Sequence, residues 1–345
     1  MKILLTVAAS FEDLELRYGH VTKTYSYLYQ GLRGLGYDVY FYIHESARHR
    51  RLKGLTYTTH KDIAFPEFVE KIRPDVAFIW GGRRQEDQLT KKVLRDCNPS
   101  VRLIFSELGW FPQRDNVYFD DLGTNAEARI SRWSDSKLEN SQRAAFLKLR
   151  KKILRADLSL PFYKRVPDFD MEPPDRNKYV FVPLQDESDT NITESSPFAK
   201  MEEFVRWLSS SYPEAKFLVR PHPRAPVEGL PDLSNVTYQP ANETLFSRFD
   251  EIGLVLGINS TVLLQSAMHN KSVIAVGDGI ASFGGCVEKI DVNQPPASLW
   301  DFTLERGAAL DRLAFLLIGR QIHEKKLKSS SFLKRSYLIS MIEGG

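Results

Sequence analysis

Short apolar runs alternate with segments of helical spacing along most of this chain, and that alternation restricts the fold more than any single motif does. Lys2 to Ala8, Tyr37 to Ile43, Val76 to Trp80 and Val101 to Phe105 read as strands. Between them, Tyr18 to Arg33, Phe65 to Ile72 and Gln88 to Cys97 read as helices, the first stopped by Gly34 and Gly36, the second by Arg73-Pro74. Strands and helices trading places at this spacing imply βαβ units and a parallel sheet, a Rossmann-like first half. The rhythm returns with apolar strands at Tyr179, at Lys216 to Val219 and at Ile252 to Gly257. The fold class is therefore α/β.

With 345 residues the chain is long enough for two domains. Pro161, Pro167, Pro173 and Pro174 stand among charges between Pro161 and Asn177, the best linker in the sequence. This gives an expected division into residues 1–165, residues 178–310 and a helical segment, 311–345, that docks back on the first domain. A net charge of +3 gives no argument for nucleic acid. No run of about 18 apolar residues is present to span a bilayer. The apolar start, Met1 to Ala9, meets Phe11-Glu12-Asp13 at once and reads as a first buried strand rather than a leader. Two distant cysteines, Cys97 and Cys286, fit a reduced, cytoplasmic setting with neither a disulfide framework nor a metal site.

Four stretches carry chemistry. The strand at Tyr179 runs into Gln185, Asp186, Glu187 and Asp189, carboxylates at the place where open α/β sheets bind ligands; the plain alternative is a solvated acidic loop. Glu107 follows the strand ending at Phe105 and precedes Gly109-Trp110-Phe111, rings that would raise its pKa and suit it to acid/base work, or it caps a turn. Arg220-Pro221-His222-Pro223-Arg224 sets a stiffly held histidine between two arginines, fit for a phosphate leaving group or merely a surface turn. Finally, Gly257-Ile258-Asn259-Ser260-Thr261 joins a strand to a helix whose amino end is a ready anion site, or plain scaffolding.

Other segments read as framework. Ser195-Ser196-Pro197 opens a helix that runs to about Ser211, and Asn116 to Ile130 forms a loop over the site. Ser141 to Leu158, with Arg150, Lys151, Lys152 and Arg155, is a basic amphipathic helix whose charges form a solvated face. A second basic stretch includes Lys325, Lys326, Lys328, Lys334 and Arg335, and it touches either the first domain or an anionic membrane surface.

Taken together, Glu107-Leu108-Gly109, Gln185-x-x-x-Asp189, His222-Pro223 and Asn259-Ser260-Thr261 resemble the bacterial retaining β-Kdo glycosyltransferases, which use CMP-β-Kdo (Kdo, 3-deoxy-D-manno-octulosonic acid) to build capsule linkers and O-antigens. The His-Pro pair is also similar to the CMP-binding motif of bacterial sialyltransferases. The resemblance covers Phe105 to Gln113 and Tyr179 to Gly285. It implies a GT-B-like fold, two Rossmann-type domains facing across a cleft, with the donor on the second and a glycan or lipid-linked glycan acceptor on the first. It implies Asp189 as covalent nucleophile and Glu107 as acid/base, with His222, Ser260 and Thr261 on the leaving phosphate and Gln185, Pro223 and Asn259 in the donor site. Arg220 and Arg224 join them on charge grounds. No metal or other cofactor is expected, and the setting is the cytoplasm, at the inner face of the membrane. Rival readings are a CMP-sialate or UDP-sugar transferase, a non-catalytic nucleotide-sugar or glycan-binding module, and an alditol-phosphate polymerase consuming CDP-alditols.

Overall fold

The computed structural model describes residues 1–7, 19–47, 50–113, 115–131, 138–156, 168–225, 227–240, 242–282 and 284–344. The chain divides into two α/β units, Met1–Arg129 with Arg320–Gly345, and Ile130–Gly319.

The first unit opens with β1 (Lys2–Val7), α1 (Gly19–Arg33), β2 (Asp38–Ile43), β3 (Thr58–Thr59), α2 (Phe65–Ile72), β4 (Val76–Trp80), α3 (Gln85–Cys97), β5 (Arg102–Leu108) and β6 (Asn116–Asp120). Parallel strands lie in the order β3-β2-β1-β4-β5, and β6 joins β5 antiparallel. Helices cover both faces. Ile3, Leu5 and Val7 share a core with Tyr25, Leu28 and Leu32 of α1, whereas Leu4 packs with Phe65, Phe68 and Val69 of α2. A strand buried on both faces cannot alternate polar with apolar side chains, which is why β1 reads as an unbroken apolar run.

The second unit holds α4 (Asn140–Ala156), β7 (Tyr179–Pro183), α5 (Thr190–Ser195), α6 (Met201–Ser211), β8 (Phe217–Arg220), β9 (Val236–Tyr238), β10 (Ile252–Gly257), α7 (Thr261–Met268), β11 (Val273–Ala275), β12 (Glu288–Lys289) and α8 (Arg306–Ala314). Its sheet, in the order β12-β11-β10-β7-β8-β9, is parallel throughout. β7 and β10 lie side by side at its centre, so the Gln185 and Asn259 loops leave the same edge.

The chain then returns to the first unit with β13 (Ile322–His323), α9 (Ser330–Leu333) and α10 (Tyr337–Glu343). β13 pairs antiparallel with β6. Glu324 is bound by Lys23 (2.7 Å) and by the Thr24 hydroxyl (2.8 Å), both on α1. Gly31 lets the two backbones approach, since a Cβ there would lie 2.0 Å from the Leu327 carbonyl oxygen. Lys325, Lys326, Lys328, Lys334 and Arg335 remain exposed. Among the described residues no helix is long and apolar enough to cross a membrane.

Several expectations need correction. The boundary expected after residue 165 lies at Arg129/Ile130, which places α4 in the second unit, and the returning segment starts at Arg320 rather than 311. Part of the expected linker, 161–167, lies outside the described residues. The remainder is fastened to the second unit: Lys271 pairs with Glu172 (2.6 Å) and the Ser272 hydroxyl donates to the Glu172 carbonyl (2.6 Å). The segment read as a loop from Asn116 begins with strand β6, because Val117, Tyr118 and Phe119 have a partner in β5 that buries them. Arg150 is no part of a solvated face. It is 1% exposed, donates to Met268 O and Asn270 Oδ1 (both 2.8 Å) and lies over the Phe169 ring. The helix expected from Ser195 begins at Met201: Lys200 stands at the N-cap, Glu203 accepts from the Lys200 N–H (3.3 Å), and the carboxylate of Glu187 accepts from the Met201 N–H (2.8 Å).

Candidate active site

The second unit gathers most of the singled-out residues at the carboxyl edge of β7, β8 and β10. Gln185 and Asn259 form a reciprocal clasp there: Gln185 Nε2 donates to Asn259 Oδ1 (2.9 Å), and the Asn259 N–H donates to Gln185 Oε1 (3.2 Å). Asn259 Nδ2 also donates to the carbonyls of Asn191 (2.8 Å) and Asp278 (2.9 Å). Both side chains are buried. Their polar atoms are spent on binding three loops together rather than presented to solvent. We therefore expect Asn259→Ala to cost about 2–4 kcal/mol, because it strands the buried Gln185 Nε2 as well as losing the bonds to two part-buried carbonyls. Denaturant unfolding measures this, and a loss below about 1 kcal/mol would mean that the clasp is dispensable.

The acidic run has divided duties. Both oxygens of Glu187 are engaged, one by Met201 N–H and one by Lys200. Asp186 Oδ1 accepts from the Ser188 hydroxyl (2.7 Å) and N–H (2.9 Å). Those bonds, with the nearby His222, hold its carboxyl below the usual carboxylate range. Asp189 is exposed and caps α5, its Oδ1 accepting from the Asn191 N–H (2.8 Å) while Oδ2 makes no hydrogen bond among the described residues. The cap fixes the side chain and leaves one oxygen open to solvent.

The two arginines of the His222 loop differ. Arg224 and Pro223 are exposed, but Arg220 ends β8 with only 8% of its surface accessible. Arg220 Nη1 and His222 Nδ1 are both buried without a hydrogen-bond partner among the described residues. Burial holds the Arg220 guanidinium below its ordinary pKa, opposed by the Glu243 carboxylate. Glu243 escaped the sequence reading, since nothing local marks a turn residue so far along the chain as Arg220's neighbour. Ser260 caps α7, its Oγ accepting from the Val262 N–H (3.2 Å) and its carbonyl from the Leu263 N–H (3.1 Å), at the positive end of the helix dipole.

Glu107 belongs to the first unit. It lies within β5 rather than past its end, one residue beyond the last parallel pair, Trp80 with Ser106, and opposite Tyr118 of β6. Its Oε1 accepts from the Leu108 N–H (2.8 Å). The Tyr118 ring stacks on Trp110 (4.8 Å), so a strand the sequence reading missed sets a ring opposite Glu107. Asp87 was not singled out either. Its Oδ2 accepts from the Gly82 (2.8 Å) and Arg84 (3.2 Å) N–H groups, and burial lifts its carboxyl to about 6.

Two Rossmann-type units, each built on a parallel sheet with helices on its faces, make this an α/β protein of the GT-B kind. Solved structures with this fold include the beta Kdo 2,7 transferase of Thermosulfurimonas dismutans KpsC, at TM-score 0.57 and 15% identity over 96% of this chain and 98% of that one. The beta Kdo 2,4 transferase of the same KpsC follows at TM-score 0.51 and 13% identity, covering 90% of this chain and 89% of that one. No family model matches the chain. In sequence it is 27% identical over 196 residues to Protein FixF of Sinorhizobium fredii, 54% of this chain and 46% of that protein. The chain thus spans about half the length of that relative. At these identities the structural likeness establishes the fold, and the chemistry has to be argued from the residues.

Proposed function

We propose that this protein is a glycosyltransferase that moves Kdo from CMP-β-Kdo to a surface-polysaccharide acceptor with retention of configuration. The observation that carries this reading is the grouping at one sheet edge: a fixed carboxylate, Asp189, in the same loop as Asp186, which lies near His222, and the amino end of α7; among the described residues one Asp189 oxygen and two buried nitrogens, on Arg220 and His222, make no hydrogen bond. The fold shared with two Kdo transferases agrees with it. A cytidylate leaves readily, so its departure needs charge stabilisation more than protonation. His222 and the α7 amino end, with Ser260 and Thr261, supply that charge. Asp189 attacks the anomeric carbon as the bond to phosphate breaks, and CMP departs with the electron pair. The acceptor hydroxyl then displaces the Asp189 carboxylate, its proton passing to Glu107. Two inversions give net retention.

Incubation with CMP-Kdo generated in situ and a glycan acceptor should release CMP and yield a β-linked Kdo product. Intact CMP-Kdo after prolonged incubation with the folded protein would sink the reading. His222→Ala should weaken donor binding by about 10–100-fold, the worth of a charge-assisted hydrogen bond, and slow donor cleavage. An unchanged CMP affinity together with an unchanged rate would remove His222 from the site.

A further inference from the structure

Arg220 is a charged residue of the second unit that packing alone does not explain. Its side chain is almost wholly buried, its Nη1 bonds to nothing among the described residues, and Glu243 acts on it as a neighbouring charge. A guanidinium kept in that condition disfavours the folded chain unless an anion completes it.

The strand register shows which way it points. Val180 and Val182 of β7, Phe217 and Val219 of β8, and Leu254 and Leu256 of β10 share a core with α6. Side chains alternate along a strand, so Phe181, Pro183, Leu218 and Arg220 face the opposite side. Arg220 is in register with Pro183, and Phe181 with Val255, which sets Gly257 across from Pro183 on its other side. Leu263 of α7 covers this face: a Cβ built on Gly257 would lie 3.0 Å from Leu263 Cδ2 and 3.6 Å from Pro183 Cγ. Arg220 and the amino end of α7 therefore flank Pro183 on one face of the sheet, at the same edge. Two strand spacings, about 10 Å, separate their strands.

A donor with one anionic group needs only one such holder. A 2-ulosonate carried on a nucleotide has two, the phosphate and the C1 carboxylate, both attached to the anomeric carbon and mutually repelling. We propose that Arg220 binds the carboxylate of the donor sugar, and so selects 2-ulosonate donors over neutral aldoses, leaving the phosphate to the α7 amino end and His222. The fork of a guanidinium matches a planar carboxylate, whereas helix ends suit phosphate. This inference rests on the function proposed above.

The test uses the full chain and the variants Arg220→Gln and Arg220→Lys. CMP binding is read by calorimetry and donor cleavage by steady-state kinetics with CMP-Kdo. Arg220→Gln should raise KM for CMP-Kdo by about 30–100-fold, the range for a lost charged hydrogen bond. It should leave the CMP Kd within about threefold, which also shows that the variant is folded. Arg220→Lys should recover part of the loss, keeping the charge but not the fork. An equal loss for CMP and CMP-Kdo would assign Arg220 to the phosphate and overturn the proposal, and so would an unchanged KM. Failure of the unaltered protein to cleave CMP-Kdo while still binding CMP would instead sink the function on which the inference rests.

Discussion

Asp189→Asn should stop Kdo transfer, by about 10³-fold or more, while leaving the protein folded. The choice of asparagine matters. Asp189 caps α5 through Oδ1, and asparagine caps as well as aspartate does, so the N–H of Asn191 keeps its acceptor. What the substitution removes is the negative charge and nucleophilicity of the second oxygen. Asp189→Ala removes both functions, at about 1 kcal/mol for the cap, and serves as the cruder comparison. Intact-mass measurement after incubation of the unaltered protein with CMP-Kdo should show an increment of one Kdo residue that is missing from Asp189→Asn. Full transfer by the asparagine variant would end the role of Asp189 as nucleophile.

Glu107→Gln should separate the two displacements. Departure of CMP asks little of a general acid, so donor cleavage should continue for about one turnover. The second step needs a base for the acceptor hydroxyl, and its loss is worth about 10²–10⁴-fold. The variant should therefore release a burst of CMP and accumulate the sugar adduct on Asp189, visible as a stable mass increment. Glutamine is nearly the same size, and its side-chain oxygen can keep the Leu108 N–H bond that holds Glu107 in β5. Multiple-turnover transfer at the normal rate would show that Glu107 is not the base. Loss of both CMP release and adduct would mean that it acts before the first displacement.

How much of this was readable from the sequence depended on how local the cause was. α2 and β4 form over the residues their patterns predict, because a short amphipathic helix ended at Arg73-Pro74 and a buried apolar strand ended at Gly81-Gly82 are specified by near neighbours. α6 starts six residues after Ser195, which instead ends α5, and the Met201 N–H is taken up by Glu187, folded back from the preceding loop. β6 was missed because its polar ends and central aromatics fit a loop as well as a strand until β5 is beside it. Arg150 looked like a solvated charge because its partners, Met268 O and Asn270 Oδ1, stand more than a hundred residues away.

The candidate site divides in the same way. Its residue types and order in the second unit could be read in the linear chain: Gln185 and Asp189, then Arg220 and His222, then Asn259 to Thr261. Their duties could not. That Gln185 and Asn259 bond to each other, or that Arg220 is buried while Arg224 is exposed, follows from strand order and register.

The sequence by itself determined the α/β class, the strand-ending loops that bear the chemistry and the kinds of groups they hold, because hydrophobic period, glycine and proline act over a few residues. Only the tertiary structure decided where the units divide, which carboxylate oxygen stays free and which arginine loses its water. Burial and hydrogen-bond satisfaction are set by whatever strand or loop arrives from elsewhere in the chain, and no local pattern encodes that arrival.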